Sequence, residues 1–151
     1  MNAFSTHEAR TEAAESGAGA QPWDGVWDDC PEVSVRVTEV DGHPPEGLVG
    51  TLYRNGPGKR SLSGSYFDGD GMIRALSLTP DGRAHYRARF IHTSKFLANR
   101  HARQTRVRSA GTQLPGGPLS NILRMPANEA NTHVMEHAGK LLALYEGGAP
   151  F

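Results

Sequence analysis

Alternation of apolar and polar residues along the chain marks strands more often than helices. "EVSVRVTEV" sets Val33, Val35 and Val37 at a period of two, which predicts a half-buried strand. "GTLYRNGPG" predicts a short strand from Thr51 to Arg54, halted by Asn55-Gly56-Pro57-Gly58. "MIRALSL", "TPDG" and "RAHYRARFIH" form the clearest hairpin, because Thr79-Pro80-Asp81-Gly82 is turn chemistry. In its second strand Ala84, Tyr86, Ala88 and Phe90 share one face, with His85, Arg87 and Arg89 on the other.

Two segments break the alternation. "TSKFLANRHAR" predicts a short helix capped by Thr93 or Ser94. Residues 104–120 read as a long loop, including Leu114-Pro115-Gly116-Gly117-Pro118. A last hairpin follows in "THVMEHAGKLLALYEGG". Its return strand, Leu141 to Tyr145, is apolar on both faces and is expected to be central in its sheet. Short antiparallel strands with frequent turns predict an all-β chain: a propeller, a sandwich or a barrel.

Composition narrows this picture. The 151 residues suffice for one domain with a moderate core, and 18 glycines and 10 prolines fit frequent turns. "MNAFSTHEARTEAAESGAGAQP" is poor in large apolar residues, so residues 1–22 are expected to form a flexible tail and 23–151 the folded part. The tail has no apolar centre of the kind a secretion signal needs, and the single cysteine, Cys30, fits a reducing compartment. A cytoplasmic location is the expectation. Net charge is zero, which argues against nucleic acid as a partner. The charge is uneven, however: no acid lies between Asp81 and Glu129, and Arg100, Arg103, Arg106 and Arg108 sit in that gap. A solvated basic loop is expected there, with contact to phosphate or to an anionic lipid surface as the alternative. Peripheral membrane contact is therefore retained among the partners.

The candidate chemistry is sparse. "YFDGDGMIRAL" carries Asp68 and Asp70, but a calcium loop spreads its oxygen ligands over twelve residues, and no further acid appears before Asp81. The two Asp-Gly pairs are read as a bend that lets a strand start at Met72. His133 and His137 are four apart, which on a helix could grip zinc; in a strand they stand ~13 Å apart. Cys30 has no local activating base, and no serine elbow or phosphate-binding glycine loop occurs. No catalytic residue and no metal ligand is assigned on this basis.

Four segments taken together, "GLVGTLYRNGPG", "YFDGDGMIRAL", "YRARFIHTSKF" and "NTHVMEHAGKLLALYEGG", resemble the carotenoid cleavage oxygenases over about Pro45 to Phe151. The resemblance implies a seven-bladed β-propeller, of which this chain is an N-terminal portion of about two blades. It implies an Fe(II) dioxygenase that cleaves conjugated double bonds of carotenoids, apocarotenoids or stilbenes, with four histidines on the iron. An apolar polyene or stilbene and O2 are the partners so implied. The chain ends at Phe151, before the family's Ala-His-Pro segment that brings the first iron ligand, and none of its seven histidines matches a ligand position. For the chain alone, no iron and no activity are therefore expected. The alternative is a non-catalytic β-module or degenerate remnant with at most a binding role. Ser65, Arg74 and His133 also depart from residues common in the family.

Two positions match supporting roles. Glu146 falls on a glutamate that holds an iron-binding histidine in place, and Thr132 on the residue beside the open coordination position. For them to meet across the last hairpin, a three-residue loop, Ala138-Gly139-Lys140, is expected, pairing His137 with Leu141 and Thr132 with Glu146. A two-residue loop would instead set Thr132 opposite Tyr145.

Overall fold

Strand pairing in the computed structural model, which describes residues 29–59, 67–102 and 105–151, follows the alternation closely in the first half of the chain. The strands β1 (Val33–Val37), β2 (Gly50–Lys59), β3 (Asp70–Leu78) and β4 (Ala84–Phe90) form one antiparallel sheet in the order β1-β4-β3-β2. The expected tail, residues 1–22, and Trp23 lie outside the described residues. Opposite pairs fix the faces. Met72 with Phe90, Arg74 with Ala88, and Leu76 with Tyr86 share one face, which buries Met72, Ala84 and Ala88. The β3–β4 turn is held by local chemistry: the Thr79 hydroxyl donates to Asp81, Gly82 N–H donates to the Thr79 carbonyl at 3.0 Å, and Gly82 has φ 75°.

Two boundaries differ from the sequence reading. β2 does not stop at Arg54 but runs through Asn55-Gly56-Pro57-Gly58 to Lys59, with a register shift between Pro57 and Lys59. It is an edge strand, where a proline's missing N–H is tolerated. Gly58 is needed there, since a Cβ would stand 2.5 Å from that of Met72. The second difference is that β3 begins at Asp70, not Met72. Only Asp68-Gly69 lies in the turn, while Gly71 is inside the strand at a crossing of two backbones. Its N–H donates to the Glu129 carbonyl at 3.0 Å, and its carbonyl accepts from Ile91 N–H at 2.9 Å. A Cβ at Gly71 would lie 2.3 Å from the Ala130 carbonyl oxygen.

The predicted helix is present as α1 (Ser94–Asn99), with Thr93 as its cap accepting from Phe96 N–H at 3.1 Å. Phe96 stacks on Phe90 and on His92, with ring centroids 5.1 and 5.2 Å away, which seats the helix on the sheet end. Beyond it the described part of the long loop has no regular structure until a 3-10 turn at Pro118–Ser120. Asn121 ties it from within, accepting from Leu114 N–H at 2.7 Å and donating to the Leu114 and Gly117 carbonyls.

The last hairpin, β5 (His133–His137) and β6 (Lys140–Leu144), forms a separate two-stranded sheet. β6 was expected to be central, but β5 is its one partner strand among the described residues. Its other edge is met at one point, where Ala143 and Phe151 exchange both backbone hydrogen bonds at 3.1 and 2.9 Å. The register also differs from the expectation. His137 pairs with Lys140 across a two-residue loop, with Ala138 at φ 50° and Gly139 at φ 73°. Two successive positive φ values match the twist of the flanking strands, which outweighs the cost of ~1–2 kcal/mol for alanine in the left-handed region. The two sheets meet over a small core of Ile91, Ala130 and Ala143, with Ile73 packed against it. Asn55 links them, donating to the carbonyls of Ala130 at 2.7 Å and His133 at 2.9 Å.

Gly71→Ala is expected to cost about 3 kcal/mol, at the upper end for overpacking, because the obstacle is backbone. Gly82→Ala, in open space, should cost only the ~1–2 kcal/mol of left-handed strain. Urea denaturation of both variants checks the difference; equal losses would mean the Gly71 crossing relaxes freely.

Candidate functional site

The residues flanking the last hairpin, Asn55-Gly56-Pro57 of β2, and Phe67, Ala110 and Met125-Pro126 line an open cavity of about 660 Å³. Phe67, Met125, Pro126 and Tyr145 give it an apolar wall, and Asn55, Asn131, Thr132 and Glu146 give it a polar one. Thr132 and Glu146 are in contact: the Thr132 hydroxyl donates to Glu146 Oε2 at 2.8 Å. The expected cross-strand pairing does not produce this contact. Thr132 N–H donates to the Leu144 carbonyl at 3.1 Å, extending the two-residue-loop register. The chain leaves the strand after Leu144 and turns, with Gly148 N–H reaching the Tyr145 carbonyl at 3.4 Å. That turn swings the Glu146 side chain back over Thr132.

Behind the cavity lies a buried polar node that sequence reasoning missed in part. Asp68, Asp70, Lys95 and Glu129 are all buried. Asp68 accepts from Gly111 N–H at 2.9 Å and from the Thr112 hydroxyl. Lys95 Nζ donates to the Asp68 carbonyl and to Asp70 Oδ1 at 3.2 Å, and stands 3.5 Å from Glu129 Oε1. The aspartate loop therefore binds groups of its own chain. Its cation is an ammonium supplied by α1, and its geometry is that of an internal tie. Asn131 transmits the node to the cavity, donating to the Phe67 and Gly69 carbonyls at 2.9 and 2.8 Å, one residue before Thr132. Lys95 gave no sequence signal beyond a charge on a short helix. Glu129 gave one: it is the first acid after the long acid-free stretch.

The electrostatics follow from burial. Loss of water pushes the Glu129 carboxyl above the usual carboxylate value, and nearby Asp68 adds to this; the Ser109 hydroxyl and Lys95 pull it down without cancelling the effect. Burial also pushes the Tyr145 hydroxyl up, helped by the charges of Glu129, Asp68 and Glu146.

The described residues do not fit an iron centre by themselves: none of their His, Cys, Asp and Glu side chains gather in a group of three or more able to hold a metal ion. His133 and His137 sit four apart along β5 and both are exposed. Cys30 is a half-buried free thiol that accepts from Arg74 Nη2 at 3.2 Å.

Residues 25–151 match the model of the retinal pigment epithelial membrane protein family, which takes in the carotenoid cleavage oxygenases. The chain belongs to this family. The apocarotenoid-15,15'-oxygenase of Synechocystis is 40% identical over 121 residues, covering 76% of this chain and 24% of that protein. A lignostilbene-alpha,beta-dioxygenase isozyme of Sphingomonas paucimobilis is 34% identical over 125 residues, again 76% of this chain and 24% of the relative. The crystal structure of the cobalt-substituted Synechocystis enzyme superposes with a TM-score of 0.77 at 37% identity, covering 85% of this chain and 28% of that one. The chain thus spans about a quarter of the carotenoid cleavage oxygenases it matches, and its two small sheets are a portion of their β-propeller.

Lys95→Met is expected to cost about 3–5 kcal/mol, because it strips the ammonium from buried carboxylates. Thr132→Ala, which removes one exposed hydrogen bond, should cost under about 1 kcal/mol. Thermal melts of the two variants check this; a mild Lys95→Met would mean that the node is wet.

Proposed function

We propose that this chain forms one part of the substrate-cavity wall of an Fe(II)-dependent dioxygenase that cleaves conjugated double bonds of carotenoids, apocarotenoids or stilbenes. The iron-binding histidines belong to other segments of such an enzyme. The observation that carries the reading is the Thr132–Glu146 hydrogen bond at the polar wall of a cavity otherwise largely apolar. An apolar lining suits a polyene, and a hydrogen-bonded carboxylate suits the orienting of an imidazole. Glu146 spends one oxygen on Thr132 and offers the other to a histidine N–H from elsewhere in the fold. The solved Synechocystis variants lend support. They include changes at a threonine, and at a tryptophan followed directly by a glutamate, with the same sequence spacing as Thr132, Tyr145 and Glu146.

Standing alone, the chain is proposed to be a non-catalytic β-module, a reading favoured by the lack of a metal-holding group among the described residues. Peripheral membrane contact belongs to the same proposal. Leu119, Ile122, Leu123 and Met125 are exposed within one short segment that also carries Arg124. No helix among the described residues is long and apolar enough to cross a membrane.

The purified chain should hold well under one iron and leave an apocarotenoid uncleaved; a tightly held stoichiometric iron would overturn this division of labour. Joined to the remaining part of the Synechocystis oxygenase, it should give an iron-loaded enzyme in which Glu146→Gln lowers activity by about 10–100-fold. An iron-loaded fusion indifferent to that change would remove Glu146 from the role.

A further inference from the structure

The node behind the cavity is not electrically balanced. Asp68, Asp70 and Glu129 are 0%, 7% and 0% exposed, and Lys95 is the one buried ammonium among the described residues. Two of the three carboxylates are well served. Asp68 has the Gly111 N–H and the Thr112 hydroxyl, and Asp70 has Lys95 at 3.2 Å. Glu129 is not: neither of its oxygens accepts a hydrogen bond, and Lys95, 3.5 Å away, already donates to the Asp68 carbonyl and to Asp70. The Ser109 hydroxyl beside it is 1% exposed and makes no well-formed hydrogen bond either, although it stands close enough to temper the upward push on Glu129. Buried charge without partners is strongly disfavoured, and a buried group avoids it by taking up a proton. A proton on Glu129 removes surplus negative charge and creates an O–H donor for the waiting Ser109 oxygen. Tyr145, the other titratable group that feels Glu129, keeps its own proton, because burial pushes its hydroxyl up.

We propose that Glu129 is protonated when the 105–112 loop is closed, and that this proton latches the loop onto the Asp68–Gly71 corner. The loop is held there by Gly111 and Thr112 on Asp68 and by Ser109 against Glu129, and Ala110 lines the cavity. When the loop opens, Glu129 meets water and gives its proton to solvent. Opening is therefore coupled to loss of one proton. Because the closed-state value lies above the ordinary one, the latch is at full strength below the ordinary carboxylate range and is lost as pH rises through the raised value. This inference does not depend on the proposed function.

Amide hydrogen exchange of residues 109–112, corrected for intrinsic base catalysis, reads the opening equilibrium between about pH 5 and about pH 8. It should rise about tenfold per pH unit and level off once Glu129 ionises in the closed state. Glu129→Gln should be flat over the same range. A carbon-13 titration of the Glu129 carboxyl in the unaltered chain should show its inflection above the ordinary glutamate value, and decides the matter alone if the variant fails to fold. An ordinary inflection overturns the proposal. So does a pH dependence that survives in Glu129→Gln and vanishes in Asp70→Asn, which would assign the proton to Asp70.

Discussion

The Lys95 ammonium, buried among the Asp68 carbonyl, Asp70 and Glu129, is the contact on which the arrangement of this chain depends. It joins the helix, the corner before β3 and the segment leading into β5. None of these elements is covered by a large apolar core, since the core between the two sheets is Ile91, Ala130 and Ala143 with Ile73 beside it. A charged group inside so small a core serves as a fixed point: its partners have to come to it, because leaving any of them unpaired in the interior is costly. Asn131, held by two carbonyls of the same corner, then fixes where Thr132 enters the cavity wall.

How much of this was legible depended on whether the cause was local. β1, the β3–β4 hairpin and the Thr93 cap follow from alternation, from Pro80-Asp81-Gly82 and from a hydroxyl at a helix start. All of these act within a few residues. β2 was read too short because Asn55-Gly56-Pro57-Gly58 carries turn chemistry, and its extension rests on an edge position and on Met72 coming close to Gly58. The register of the last hairpin departs from its sequence pattern for a different reason. Alanine is a poor residue for φ 50°, yet strand twist selects the two-residue loop.

The site divides the same way. The family resemblance singled out Thr132 and Glu146, and they do touch, but through a turn after Leu144 rather than through strand pairing. The aspartates are structural, as their Asp-Gly chemistry predicts, but their role is a buried tie to distant partners and not a bend alone. Lys95 lies 25 residues from Asp70, and no local pattern announces that such a pair will be buried together. Long-range polar ties of this kind leave almost no trace in a single sequence.

Asn55 has a consequence for how the chain reaches this state. Its amide spans the two sheets, to Ala130 and His133, across 75 and 78 positions of sequence. The β3–β4 and β5–β6 hairpins close short loops and gain their contacts early, whereas this clasp closes a very long one. Loops of such length carry an entropy cost that is met only after most local structure exists. The docking of the sheets is thus a late event, and the cavity with its Thr132–Glu146 wall comes into being in that final step. Until then the described residues form two separate sheets, one of four strands and one of two, each with unpaired strand edges open to other chains.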